Sequence, residues 1–268
     1  MREPVSVVVI TFNNAATLDR CLAAVDWADE KLVLDSGSTD ATLDIARRHG
    51  AHVHSHPFDD YGPQKQRAID LARHDWILIL DADEILSRGT REAIESALAA
   101  PRVSGFRLPR RERLFWTAQH RWSHRNGHLR LFDRRHARMN DAPVHASVTA
   151  DGPVRTLWRA DFVNDGDPDI AARVDKINRY SSGLVIDKLA RRQRWTGLRM
   201  VVYPPLFFVR QFVVKRYFLS GWAGFVGSVL GAFYVFLKYA KLHEARRHGS
   251  HVARSPQDLA HDAERDSS

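Results

Sequence analysis

Three carboxylates stand within four positions, Asp81, Asp83 and Glu84, directly after the unbroken apolar run Trp76–Leu80. Acids are poor strand formers and costly to bury without a partner. Charge closing a run that reads as a buried strand therefore needs compensation. In an extended segment an Asp-X-Asp pair sends both side chains to one side, about 6–7 Å apart along the strand. Two hard oxygen ligands so placed suit Mg2+ or Mn2+, with the remaining positions going to water and substrate phosphate. The plainer reading is a set of solvated loop acids, or Asp83 and Glu84 capping the next element. A further acid, Asp35, closes a second short apolar run, Leu32–Leu34. Acids at the ends of two strands favour the cation reading, because ligands of open parallel sheets bind beyond the strands' carboxyl ends.

The elements that must carry these acids are legible from periodicity. Residues 5–10, "VSVVVI", read as a buried parallel strand, and 31–35, 51–57 and 76–80 as further strands. Between them fall helical patterns. Leu18, Cys21, Leu22 and Val25 recur at helical spacing. A second helix ends at Gly50, a third covers 63–73 with Pro63 in its first turn, and a fourth covers 90–100. Strand–helix alternation of this length predicts right-handed crossovers and a mainly parallel α/β sheet. From 101 to about 165 short strand-like pieces alternate with basic loops and complete the domain. Residues 166–197 read as an amphipathic helical connector.

From Tyr217 to Leu237, 21 residues pass without a charge, long enough to span a bilayer core of about 30 Å. Residues 200–214 are apolar too, interrupted by Pro204, Pro205 and Arg210. Basic residues flank the apolar run on both sides. A single span would carry the more basic flank outward, against the positive-inside rule. An in-plane arrangement keeps every cation on one anionic face. The region 198–244 is therefore expected to be membrane-associated, and 245–268 to be a polar disordered tail. The Gly227-X-X-X-Gly231 spacing suits close helix packing within the monomer. A net charge of +8 points to polyanionic partners. No nucleic-acid motif accompanies it, so nucleic acid is not expected. The lone Cys21 excludes an internal disulfide and a Cys-based zinc site, and it reads as a buried thiol. "VSVVVI" is too short for a signal peptide's core, so the N-terminal part is expected to stay in the cytoplasm.

"SVVVITFNNAATLDRCL", "LVLDSGSTDATLDIA" and "HDWILILDADEIL" resemble, in order and spacing, the signature segments of glycosyltransferase family 2, inverting nucleotide-sugar-dependent enzymes of GT-A fold. "GFRLPRRERLF", "LRLFDRR", "APVH", "KINRYSS" and "GWAGFVGSVLGAFYVFLKYAKLHE" extend the likeness. They resemble a subgroup related to lipopolysaccharide core β-1,4-glucosyltransferases. The resemblance implies a GT-A domain over 1–165 and a divalent cation, Mg2+ or Mn2+. It implies a UDP- or ADP-linked sugar donor and a cell-envelope glycolipid or lipid-linked acceptor. It also implies a place at the cytoplasmic face of the bacterial inner membrane. Thr11, Asn13, Asp35, Lys65 and Asp81 match positions around the nucleotide sugar; Asp83, with Asp81, matches the metal-binding pair. The arginine-rich stretch 107–135 suits an acceptor carrying phosphates or acidic sugars, or a membrane surface.

The chain departs from the subgroup where relatives carry a Glu after "APVH" and a His followed by an aromatic further on. Here stand Ala146 and Asn164-Asp165. Asp141 and Glu84 are the expected substitutes for the catalytic base, and Asp165 for the lost His. Alternatives are transfer to a polyprenol-linked or exopolysaccharide intermediate, or a catalytically silent nucleotide-binding scaffold.

Overall fold

The computed structural model describes residues 2–140, 146–164, 169–190 and 196–247, the side chains of 183–190 excepted. The chain divides into two compact units. The first comprises 1–112 and 125–166, the second 113–124 and 167–268. Residues 113–124, inside the span 1–165, belong to the second compact unit.

In the first unit the elements follow the periodicity closely: β1 (Val5–Thr11), α1 (Ala15–Ala23), β2 (Glu30–Asp35), α2 (Thr42–Arg48), β3 (His52–Ser55), α3 (Tyr61–Leu71), β4 (Trp76–Asp81), β5 (Glu84–Leu86) and α4 (Thr90–Leu98). Then come β6 (Gly105–Leu114), which runs into the second unit, the short β7 (Thr117–Ala118) there, β8 (Gly127–Asp133), β9 (Ala137–Met139), β10 (Val148–Ala150), β11 (Val154–Thr156) and β12 (Phe162–Asn164). Strand β5 is unexpected: Glu84 lies in a strand and caps no helix.

The sheet order is β3-β2-β1-β4-β8-β6-β12-β5. Strands β3, β2, β1 and β4 are parallel, as the crossovers require; β8 is antiparallel to both β4 and β6. The result is a mixed sheet flanked by helices. Strands β1, β2 and β4 are apolar on both faces because both are covered. On one face Val7, Val9, Leu78 and Leu80 pack with Leu18 and Leu22 of α1 and Ile94 of α4. On the other, Val8, Ile77 and Ile79 pack with Ala68 and Ile69 of α3. Cys21 is fully buried, and burial pushes its thiol far above the ordinary range.

The pairing of β6 with β8 is irregular. The register steps from Phe106–Leu131 to Arg107–Leu129, so Arg130 is an extra, unmatched residue on β8. This β-bulge coincides with the end of β4–β8 pairing at Leu78–Leu131.

The second unit holds α5 (Ile170–Ala190), α6 (Thr196–Val209), a π-helical stretch Arg210–Val214, a tight helical turn Tyr217–Ser220 and α7 (Gly221–Arg247). Pro204 and Pro205 do not interrupt the apolar segment as expected; they lie inside α6, and a widened turn comes directly after it. Proline removes a helical donor and crowds the preceding turn, and π-turns absorb such local disruption. Helix α7 runs past the expected boundary at 244. Gly231 of α7 faces the Phe207 ring of α6, where a Cβ would come within 2.6 Å, and Gly227 faces Leu114. The two glycines therefore serve packing inside this unit. Among the described residues, Tyr217–Arg247 is the one stretch long and apolar enough to cross a membrane.

Candidate functional site

Asp35 closes β2 beside Thr11, the last residue of β1, in parallel register. The carboxylate is almost fully buried. It accepts hydrogen bonds from the Thr11 hydroxyl (3.0 Å), the Ser38 hydroxyl and the Gly37 and Ser38 amides (2.9 Å each). Gly37 has φ +97°, a conformation glycine adopts freely. Asp35 thus sets the shape of the 36–39 turn. Asn13 faces that turn with φ 52°. Its Oδ1 accepts from the Thr39 amide (2.9 Å), and its own amide donates to the Ser38 hydroxyl (2.8 Å). Asp40 reaches back to the first turn of α1, accepting from the Ala15 amide (3.1 Å). The loops after β1 and β2 are therefore laced together into one rim at the sheet's carboxyl edge.

Asp81 ends β4 on the same edge, and the chain turns at Ala82–Asp83 before β5. The two aspartates are consequently not on one extended strand, as the Asp-X-Asp spacing had suggested. The Asp81 carboxylate lies between two cations: Lys65 Nζ of α3 is 2.5 Å from Oδ1, and Arg130 donates to Oδ2 (3.1 Å). Arg130 also donates to Glu84 Oε1 (2.5 Å), while Glu84 Oε2 accepts from the Asp81 amide (3.0 Å). The guanidinium stacks over the Phe162 ring at 5.3 Å, and its Nε is buried without a partner. Two basic side chains and two carboxyl groups thus form a closed cluster. Protein cations meet the charge at the end of β4, where the spacing had suggested a metal.

The cluster separates the two acids electrically. Burial raises Asp81, but Arg130 and Lys65 more than offset it and hold the carboxyl down near 2. Burial pushes Glu84 up to about 7, with Arg130 pulling against it and the Asp81 charge adding to it. His128, two residues before Arg130, is brought down to about 4, first by burial and then by Arg130 and Arg110. It is neutral at pH 7.

Asp83 points elsewhere, accepting from the Asn164 side-chain amide of β12 (3.0 Å). Among the described residues no group of three His, Cys, Asp or Glu side chains could hold a metal ion. With both Asp81 oxygens engaged, Asp83 is the carboxylate left to offer an oxygen. Mg2+ commonly takes one or two carboxylates and completes its shell with waters and phosphate. The residues fit a cation shared with a substrate phosphate, and not an enclosed protein site.

Thr11, Asn13, Asp35, Lys65, Asp81, Asp83 and Glu84 all lie in the first unit along this edge or just beneath it. Glu84 is fully buried with both oxygens engaged, which makes it an internal strut with no surface toward an acceptor. Asp141 and Asp165 lie outside the described residues. Ala146 packs against the α3-side core. Arg130 and His128 escaped sequence reasoning. The one available signal was a charged residue inside the otherwise apolar "LRLF", and the bulge that turns it into the cluster has no signature of its own.

The model of the family described as glycosyl transferase family 2 matches residues 6–155. An "Uncharacterized glycosyltransferase" of Rickettsia felis is 32% identical over 91% of this chain and 90% of its own. The "Lipopolysaccharide core biosynthesis glycosyltransferase LpsC" of Rhizobium meliloti is 27% identical over 90% of this chain and 92% of its own. Among solved structures, glucosyl-3-phosphoglycerate synthase from Mycobacterium tuberculosis with Mg2+ and UDP aligns over 41% of this chain and 44% of that one. The identity is 25% and the TM-score 0.36, too slight a likeness to carry argument.

Proposed function

The chain belongs to glycosyl transferase family 2, an inverting family, and we propose that it moves a sugar from a UDP- or ADP-linked donor to a cell-envelope glycolipid such as lipopolysaccharide core. The observation that carries this reading is the charged edge at the end of β4. Lys65 and Arg130 stand on either side of Asp81, with Asp83 adjacent. The relative LpsC, named for lipopolysaccharide core biosynthesis, supports the acceptor class.

In this reading the rim formed by Thr11, Asn13 and Asp35 receives the nucleoside. Asp83, with Asn164 beside it, would hold Mg2+ or Mn2+ against the donor diphosphate. Such a cation, when bound, neutralises charge on the departing diphosphate as a Lewis acid. Lys65, paired with Asp81, would exchange that partner for a donor phosphate oxygen, since both are anionic. Arg130, anchored by Glu84, fixes Asp81 below the donor. Asp141 is the proposed base that takes the acceptor hydroxyl's proton as that oxygen attacks the anomeric carbon in line. The apolar C-terminal helices bring the enzyme to the cytoplasmic face of the inner membrane, where a lipid-linked acceptor resides.

UDP should raise the melting temperature of the wild type more with Mn2+ than without it. Asp83→Ala should abolish the difference; an unchanged difference sinks the cation assignment. Asp141→Asn should retain donor binding yet lose at least about a hundredfold in kcat, measured as nucleoside diphosphate release. A second reading, a silent nucleotide-binding scaffold, is favoured by Ala146 and by the enclosure of Glu84. Turnover by the wild type on any donor eliminates it.

A further inference from the structure

Residues 113–124 lie in sequence between two neighbouring strands of the sheet, yet they fold with the apolar helices. The excursion starts as a tight hairpin. Leu114 pairs with Thr117 across β6 and β7, leaving Phe115 and Trp116 as the two-residue tip. Phe115 has φ 55°. The first position of such a tip favours glycine, and a bulky residue there carries strain that its surroundings must offset. Its ring is buried with Leu114, Tyr217 and Ala223, which supplies that offset. The strand end after the tip is tied down as well. His120 donates its amide to the Ser220 hydroxyl (3.0 Å), the Ser123 hydroxyl donates to the Arg216 carbonyl (2.9 Å), and the His124 amide donates to the Lys215 carbonyl (3.0 Å).

While its inner side is held this firmly, the excursion turns two large aromatics outward: Trp116 is 63% exposed and Trp122 64% exposed. The Arg121 guanidinium lies 5.5 Å from the Trp122 ring. The helices beside it are exposed in the same manner, with Phe218, Trp222, Leu206 and Val214 open to solvent. The charge is one-sided. Residues 113–124 and 196–247 together contain ten Lys or Arg and a single acid, Glu244. Exposed tryptophans beside cations, with acids nearly absent, match a bilayer interface with anionic headgroups, where Trp prefers the headgroup level and Lys and Arg gain from the surface potential. A second copy of the same face would set ten cations against ten.

We propose that 113–124 and the helices from 196 to 247 form one docking surface for an anionic lipid bilayer, anchored at the headgroup level by Trp116 and Trp122. The proposal deepens the assignment of the C-terminal helices to the membrane and rests on it. The test uses the full chain, transferred from detergent to phosphatidylcholine vesicles with and without phosphatidylglycerol and scored by flotation. Wild type should float with the anionic vesicles, and a Trp116→Ser/Trp122→Ser variant should bind them roughly tenfold more weakly. A Trp116→Phe/Trp122→Phe variant, which keeps the bulk, should fall between. Trp158→Ser alters an equally exposed tryptophan of the sheet unit and should change nothing. Lipids brominated near the headgroup should quench the part of the wild-type emission that the double Ser variant lacks. Equal flotation of wild type and the double Ser variant, or no such quenching, overturns the proposal while leaving the membrane reading standing. A wild type that does not float overturns the membrane reading itself. A wild-type dimer in detergent that the double Ser variant breaks would assign the surface to a second copy instead.

Discussion

Arg130 has little freedom to be anything else. Its guanidinium meets Asp81, Glu84 and the Phe162 ring at once, and removing one partner of a buried pair leaves the other charge uncompensated. Glu84 tests this balance. With its carboxyl raised to about 7, the folded protein keeps a proton that the unfolded chain releases near its ordinary 4.5. Between those values the Glu84 contribution to stability therefore falls as pH rises. Glu84→Gln should flatten that part of the stability–pH profile, measured by urea unfolding from pH 4.5 to 7.5; an unchanged slope would show that Glu84 is ionised throughout. Asp35 and Asp81 could be picked from sequence because each closes an apolar run. Their pairing could not: Lys65, placed near the donor by resemblance alone, is 16 residues from Asp81 in the chain, and Arg130 is 49. A bulge is a register event that no single residue type marks.

At the level of elements, β1 to α4 were readable because parallel strands covered on both faces give continuous apolar runs, and each helix shows one buried stripe. The three-residue strand β5 was not, since Glu84-Ile85-Leu86 is too short to show a period. Pro204 and Pro205 misled for a related reason. Proline signals a break, but packing against α7 holds α6 together through it and moves the irregularity to Arg210–Val214. Gly224 of α7 lies tight against the turn that precedes its own helix, where a Cβ would collide with the Tyr217 carbonyl oxygen. At Gly231 the obstacle is the edge of the Phe207 ring, which can rotate away. Gly224→Ala should therefore lower the melting temperature in detergent by several degrees and Gly231→Ala by less. The reverse order would contradict this packing.

Across the whole molecule the chain passes between the units three times, after 112, after 124 and after 166. A polypeptide ending at 166 would thus keep Leu114 and Phe115 but lose Tyr217 and Ala223, which bury them. It should self-associate in detergent-free size-exclusion chromatography. Shortening the excursion as well should cure this. The Arg110 amide already donates to the Asn126 carbonyl (2.9 Å), so the strands approach closely enough for a short Asn-Gly turn to join 112 to 125. That doubly trimmed chain should elute as a monomer and still respond to UDP. The hairpin at 113–124 would then be a detachable graft, a lengthened strand connection through which a membrane address could be added to or stripped from a sugar-transferring sheet without touching the strands that carry its chemistry.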